Sequence, residues 1–320
     1  AAFHGAVGTW CVKIFKMSAC GTGLTIERAK AFGFDAISAS LEQLDRAHFY
    51  PEKHMMTLEL VVERGTRRVL GIQGVCEDGD ALKARIDAVA TMLQFGKPTI
   101  DDLANAEIAY APPFASAMDV VNVVANVADN ILSGQLKPIS SKEFGELWKD
   151  RANNNVFFAD ARPAVAGNAT AAKYPGEWHA IALEDIEAKF DSIPKDRPVA
   201  LVCNTGLRSY EVMLYLHNHG VTDVVNALGG MQALIKRGDE VVHVGIMAAA
   251  KRVDTTGAGD FYAAGFLSGL TEGLTLRQCG TIGAITAGKV IEVVGTTFGE
   301  EAWEDIFRLV KKVRNERYLF

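Results

Sequence analysis

Three short apolar runs, Val156–Ala159, Val199–Val202 and Val224–Asn226, alternate with helix-spaced stretches at 184–190 and 209–218. Few architectures accept that alternation. Each strand needs a crossover before the next, which gives a parallel sheet with helices on its faces. Upstream, Ser133-Gly134-Gln135 breaks the preceding pattern and Ser140-Ser141-Lys142-Glu143 signals a helix start, so an α/β domain is expected over residues 136–240. Residues 1–135 read differently. Strands are expected at 10–15, 35–40, 55–63 and 68–75, with a hairpin turn at Glu63-Arg64-Gly65-Thr66 and helices at 25–32, Asp80–Phe95 and Ser116–Leu132. That is an α+β pattern. In residues 241–320 a strand is expected at Val241–Ile246, a glycine-rich turn running into a helix at Gly257–Gly269, and helices at Leu276–Val290 and Glu301–Val313. The chain is therefore read as α/β and α+β multidomain.

Charge and cysteine usage narrow the function classes. The net charge is −6, and the only basic cluster is Lys311-Lys312-Val313-Arg314, which suits the solvated face of a helix, so nucleic acid is not expected as a partner. Val120–Leu132 is interrupted by Asn122, Asn126, Asp129 and Asn130, and no apolar run reaches the ~18 residues that span a bilayer. The five cysteines (Cys11, Cys20, Cys76, Cys203 and Cys279) are odd in number and lack metal-ligand spacing, which points to a reducing, cytoplasmic setting and no metal site. Cys11 and Cys20 are expected to pack. A strand pattern begins almost at once, without an initiator Met or signal peptide, as if the chain started in mid-protein.

The strongest chemistry lies in Leu201-Val202-Cys203-Asn204-Thr205-Gly206-Leu207-Arg208-Ser209, where an apolar strand ends on a cysteine and a helix follows. Amides of a tight Asn204–Arg208 loop can curl around the sulfur, the helix N-terminus adds partial positive charge and Arg208 a full one. Such a cradle favours a thiolate, and equally a persulfide, whose terminal sulfur is anionic. The plainer alternative is a buried structural cysteine at a strand end. A polar, glycine-containing loop that closes on arginine does not suit packing.

Residues 154–240 resemble a single rhodanese domain: Phe158-Ala159-Asp160-Ala161-Arg162 is similar to the family's Asp-Val-Arg strand end, Trp178–Leu183 to its middle strand, and Leu228-Gly229-Gly230-Met231 to its closing turn. The resemblance implies a sulfurtransferase in which Cys203 is the nucleophile, Arg208 its electrostatic partner, Asn204, Thr205, Gly206 and Leu207 the persulfide loop, and Asp160 and Arg162 structural supports. Trp178-His179 departs from the smaller residues common in the middle strand, and the usual Trp after the Gly-Gly turn is missing. The cell-cycle type of dual-specificity phosphatase shares this fold, but it needs a Cys-x5-Arg loop for phosphate, and the spacing here is Cys-x4-Arg. His217 and His219, at i and i+2, do not share a helix face and suit a solvated helix end better than a metal.

Residues 9–133 resemble the dimerisation domain of pyridine-nucleotide-disulfide oxidoreductases, in the branch of coenzyme A-disulfide and persulfide reductases. The matches are Thr9–Phe15 with Cys20-Gly21-Thr22-Gly23, the hairpin at 55–75, and Ala109-Tyr110-Ala111-Pro112-Pro113-Phe114 followed by Asp119-Val120-Val121-Asn122. The resemblance implies a homodimer, FAD and NAD(P)H as cofactors of the family, and a coenzyme A persulfide among the sulfur-exchange partners. It also makes Tyr110 the tyrosine that reaches the partner's flavin-disulfide centre; alternatively Tyr110 only starts a proline-rich turn after a strand. No Gly-x-Gly-x-x-Gly follows a strand, so this chain alone is expected to bind neither dinucleotide.

Asp254-Thr255-Thr256-Gly257-Ala258-Gly259-Asp260 resembles a signature of ribokinase-like carbohydrate and nucleoside kinases. It implies a phosphate cradle at Gly257, Ala258 and Gly259 and a catalytic base at Asp260, with Mg-ATP as ligand if the fragment is functional. Only the last quarter of such a kinase is present, so phosphorylation is not expected. The reading favoured is a rhodanese-type sulfurtransferase linked to a reductase dimerisation module, with a sulfane-sulfur donor and a thiol acceptor as its partners. The alternatives are a kinase fragment and a non-catalytic dimerisation scaffold.

Overall fold

The computed structural model describes residues 5–237, 247 and 251–315, which fall into two compact units, Ala1–Gly238 and Asp239–Phe320. The expected strand at Val241–Ile246 lies outside the described residues.

The first unit contains two sheets. One is built from β1 (Trp10–Ile14), β2 (Met17–Gly23), β3 (Ala36–Leu44), β4 (Met55–Glu63) and β5 (Val69–Cys76), in the order β1-β2-β5-β4-β3 with every neighbouring pair antiparallel. The β4–β5 hairpin is the expected one. The expected strand at 10–15 continues into a second, β2, through the turn Phe15-Lys16, and β3 runs past residue 40 to Leu44. Helix α1 (Ile26–Ala31) starts at the Thr25 cap. Its buried Ala29 packs with Ala36, Val61 and Leu70. Three further helices follow, α2 (Gly79–Phe95), α3 (Ile100–Ala104) and α4 (Val120–Leu132). The main core joins Leu82, Ile86 and Val89 of α2 to Leu58, Leu60 and Ile72 of the sheet and to Val121 and Val124 of α4.

Helix α4 starts four residues later than expected because the Asp119 side chain accepts from the Val121 amide and caps it there, while the Ser116 hydroxyl donates to the Leu44 and Arg46 carbonyls. Val127 and Ile131 on the same helix pack against the core of the second sheet. One helix with apolar residues on two sides thus serves both cores, which is why the two sheets form a single compact unit.

The second sheet is parallel, as the alternation of apolar runs requires. It comprises β6 (Pro138–Ile139), β7 (Phe157–Asp160), β8 (Trp178–Ala180), β9 (Val199–Val202) and β10 (Val224–Ala227), in the order β6-β10-β9-β7-β8. Between the strands run α5 (Ser141–Lys149), α6 (Ala164–Ala171), α7 (Ile186–Lys189) and α8 (Leu207–Asn218), and α9 (Gly230–Arg237) follows β10. Val212, Met213 and Leu216 of α8 cover one face, and Phe144 and Trp148 of α5 with Met231 and Leu234 of α9 cover the other. The Ser140 signal is realised as a capping box with Glu143.

In the second unit, α10 (Ala258–Thr271), α11 (Leu276–Val290) and α12 (Glu300–Arg314) fall where helical spacing predicts them. Glycines let α10 approach α11 closely. A Cβ on Gly265 would lie 2.5 Å from Thr286 Oγ1, and one on Gly269 would lie 3.0 Å from Cys279 Sγ. Among the described residues, no helix is long and apolar enough to cross a membrane.

Candidate active site

Strand β9 is buried throughout and delivers Cys203 to its C-terminal end, where the residue is 2% exposed. The chain then turns sharply. Gly206 adopts φ +98°, a left-handed conformation that glycine enters without Cβ strain, and α8 begins at Leu207, two residues earlier than expected. The turn aims the Gly206 amide at the sulfur, donating to Cys203 Sγ at 3.1 Å, and the Ser209 hydroxyl donates to the same atom at 3.3 Å. Gly206 is itself held by Asn226 of β10, whose side-chain amide donates to the Gly206 carbonyl at 2.9 Å. The 12-residue α8 points its N-terminus at the same place, adding partial positive charge beside the sulfur.

The loop is fixed from its other side by α9. Met231 and Gln232 amides donate to the carbonyls of Cys203 and Asn204 at 2.8 and 3.0 Å. Gly230 permits this approach: a Cβ there would stand 2.3 Å from the Cys203 carbonyl oxygen. Arg208 is exposed, and the polar contacts at the sulfur come from Gly206 and Ser209. Ser209 and Asn226 are contributors to which sequence reasoning assigned no role, and Gly230 entered only as part of the closing turn; the hydroxyl six residues after the cysteine was the available signal for the first.

Asp160 and Arg162 lie at the end of β7. Asp160 is fully buried and accepts from Arg162 Nε at 2.9 Å and Nη2 at 2.6 Å, and from the Trp178 indole at 2.9 Å. Arg162 also donates to Thr170 Oγ1 on α6 at 2.7 Å. Trp178, which departs from the usual pattern of the middle strand, thus supplies a hydrogen bond that ties β8 to β7 and satisfies a buried carboxylate.

Tyr110 sits on an irregular segment with no strand before it and is about half exposed. Together with Phe49 and Met118 it lines a cleft of about 760 Å³ whose other wall includes Thr205, Gly206 and Leu207 of the cysteine loop. The segment is anchored from a distance. Buried Arg85 of α2 donates to the Phe114 carbonyl at 2.9 Å and pairs with Asp119 at 2.8 Å. The structure therefore brings Tyr110 and the cysteine loop to one cleft.

Of the two cysteines expected to pack, Cys20 does so, but Cys11 is exposed because β1 is an edge strand with all five residues accessible.

In the second unit, Gly257 caps α10 with φ +77°, and Asp260 lies exposed in the helix's first turn. Asp254 braces the turn, accepting from the Thr256 amide and hydroxyl and from the Gly295 amide. The Thr256 amide leads in holding the Asp254 carboxyl below its usual range. The Ala258 amide donates to the Thr255 carbonyl at 3.2 Å, so one of the three amides of the expected cradle is already engaged.

Residues 10–121 match the dimerisation domain of the pyridine nucleotide-disulphide oxidoreductases. The NAD(P)H sulfur oxidoreductase (CoA-dependent) of Pyrococcus furiosus is 36% identical over 125 residues, 39% of this chain and 27% of that protein. A solved NAD-dependent persulfide reductase from A. fulgidus superposes with a TM-score of 0.62 at 33% identity, covering 72% of this chain and 40% of that one. The match thus extends past the dimerisation domain into the parallel sheet. Residues 205–303 match the pfkB family of carbohydrate kinases, and the nucleoside kinase of Methanocaldococcus jannaschii is 34% identical over 110 residues, 34% of this chain and 36% of that protein. The chain spans about a quarter to two fifths of the length of these relatives.

FAD and NAD(P)H are the cofactors that the reductase family implies. The loop ends of the parallel sheet do not fit them. The α8 N-terminus faces the Cys203 sulfur, and the first amides of α9 are spent on the carbonyls of the cysteine loop.

Proposed function

We propose that this chain carries a rhodanese-type sulfurtransferase joined to the dimerisation module of a coenzyme A-disulfide or persulfide reductase, and that it works as a homodimer. The observation that supports this most is the Cys203 sulfur at a strand end, receiving hydrogen bonds from the Gly206 amide and the Ser209 hydroxyl. Donors so placed can offset negative charge that builds on Sγ as it attacks the donor and as it leaves the outer sulfur.

The reaction runs in two balanced steps. The Cys203 thiolate attacks the sulfane sulfur of a donor such as thiosulfate; the S–S bond of the donor breaks, sulfite leaves with its electron pair, and a cysteine persulfide remains. An acceptor then attacks the outer sulfur: cyanide leaves as thiocyanate, or a thiol leaves as its persulfide, and the Cys203 thiolate is restored. Asp160, Arg162 and Trp178 hold the neighbouring strand ends, and Arg208, exposed in the first turn of α8, is the nearest cation in sequence. Tyr110 faces the cleft from the dimerisation domain, where an acceptor thiol coming from a reductase would arrive.

A thiosulfate:cyanide assay on wild type and Cys203→Ser tests the reading. Turnover in the wild type and its loss in the variant is expected, because a hydroxyl cannot hold sulfane sulfur; equal rates in the two would refute it. A second reading is favoured by the pfkB match and the Gly257 turn, namely a kinase fragment with Asp260 as base. Titration with Mg-ATP is expected to give little or no heat, since an open phosphate cradle leaves most of a nucleotide in water. Phosphorylation of ribose or adenosine that Asp260→Asn removes would reverse the ranking.

A further inference from the structure

The exposed edge of the antiparallel sheet carries chemistry that the cysteine loop does not use. Strands β1 and β2 pair so that Cys11 stands directly opposite Cys20. The two-residue turn Phe15-Lys16 closes on Ile14 and Met17, and Phe15 takes φ +55° there. Such a turn closes on a hydrogen-bonded pair, and pairs alternate along an antiparallel ladder. Counting outward by three makes Cys11 and Cys20 a non-hydrogen-bonded pair, the type in which Cα atoms approach to about 4.5 Å and side chains lie closest. That separation falls inside the roughly 4.4–6.8 Å range that a disulfide bridges without backbone movement. Because directly opposite residues share a face, both thiols project to the α2 side, where Cys20 enters the core.

The two thiols differ in access. Cys11 is exposed, while Cys20 is buried. Burial pushes the Cys20 thiol up, and its contact with Cys11 pushes it further in the same direction. Lys83 of α2 lies within electrostatic reach of both sulfurs, ion-paired with Asp87. An accessible thiol that attacks first and a shielded neighbour that resolves is the arrangement required for a dithiol to reduce an external disulfide.

We propose that Cys11 and Cys20 form a reversible redox pair that reacts with low-molecular-weight disulfides and closes as a cross-strand disulfide. The Cys11 thiolate attacks one sulfur of RSSR, giving a Cys11–SR mixed disulfide and releasing RS⁻. The Cys20 thiolate, once its proton has passed to solvent, attacks the Cys11 sulfur, expels the second RS⁻ and forms the Cys11–Cys20 bond. Two thiols are oxidised and one disulfide is reduced to two thiols. The site is separate from Cys203 and does not depend on the sulfurtransferase reading.

The test uses the full chain with Cys203→Ser, so that the other reactive cysteine does not contribute, equilibrated in glutathione buffers of graded disulfide content. Mass spectrometry after trypsin without reductant is expected to find residues 1–13 joined to residues 17–28, with dithiothreitol reversing the link. Cys20→Ala should convert the product to a stable glutathione adduct on Cys11, and Cys11→Ser should abolish reaction at this edge. A lasting glutathione adduct on Cys11 of the chain that retains Cys20, or linkage of Cys11 to a second chain, would overturn the proposal. The linked peptide pair is read without altering either cysteine, so the test does not depend on how a variant folds.

Discussion

Replacing Arg85 by methionine probes the connection that holds the Tyr110 segment against the rest of its unit. The guanidinium is buried and donates to Asp119 Oδ2 from Nε at 3.1 Å and from Nη2 at 2.8 Å, and to the carbonyls of Ala81, Asp45 and Phe114 at 3.1, 3.2 and 2.9 Å. Methionine keeps the aliphatic stem but leaves the Asp119 carboxylate buried beside little more than the Val121 amide it caps. Removing one partner of a buried pair costs about 3–5 kcal/mol. For a unit of this size each kcal/mol moves the midpoint by about 2–4 °C, so a fall of roughly 6–20 °C is expected. Thermal unfolding followed by circular dichroism reads the shift, and hydrogen exchange in α4 assigns it to the first unit. Adding Asp119→Ser to Arg85→Met removes the orphaned charge while keeping a capping side chain, and should restore half the loss or more. A shift below 2 °C in the single variant, or a double variant that falls by the sum of both singles, would refute the reasoning.

Two other outcomes follow from the geometry. Gly206→Ala places a Cβ in a left-handed conformation, 3.3 Å from the Ala227 carbonyl, at about 1–2 kcal/mol of strain; by moving the amide off the Cys203 sulfur it should lower thiosulfate:cyanide turnover tenfold or more, and unchanged turnover would remove that amide from the mechanism. Burial pushes the Glu59 carboxyl up, so its folded value exceeds the unfolded one and the folded state is penalised wherever the group is charged. Glu59→Gln should therefore raise the melting temperature at neutral pH. The gain should shrink as pH falls through the raised value and vanish below the ordinary carboxylate range; a gain independent of pH would assign it to something other than charge.

What could be read from the sequence was what is decided locally. The strand, tight turn and helix around Cys203 follow from Leu201-Val202 and Gly206, and the parallel sheet from the spacing of its apolar runs. Strand β2 was not legible because Met17-Ser18-Ala19-Cys20-Gly21-Thr22-Gly23 has few β-branched residues; it forms because it pairs on both sides, with β1 and β5. The anchoring of the Tyr110 segment was hidden too, since Arg85 and Asp119 are 34 residues apart and nothing in either stretch announces the other. Trp178 read as a departure from pattern, and only the fold reveals the carboxylate it satisfies. The exposure of Cys11 followed from its place on an edge strand, which periodicity alone does not report.

The way α9 meets the cysteine loop has a bearing on how the site responds to charge. Peptide planes whose carbonyls accept from Met231 and Gln232 are held in place whether or not the sulfur is ionised, and they fix the turn that brings the Gly206 amide to Sγ. The dipoles are thus oriented during folding and not by the reacting atom. On the proposed sulfurtransferase reading, negative charge moving from Sγ to an added outer sulfur and back would meet a backbone with little to rearrange, and α9, by holding that backbone, would keep the reorganisation energy of each half-reaction small.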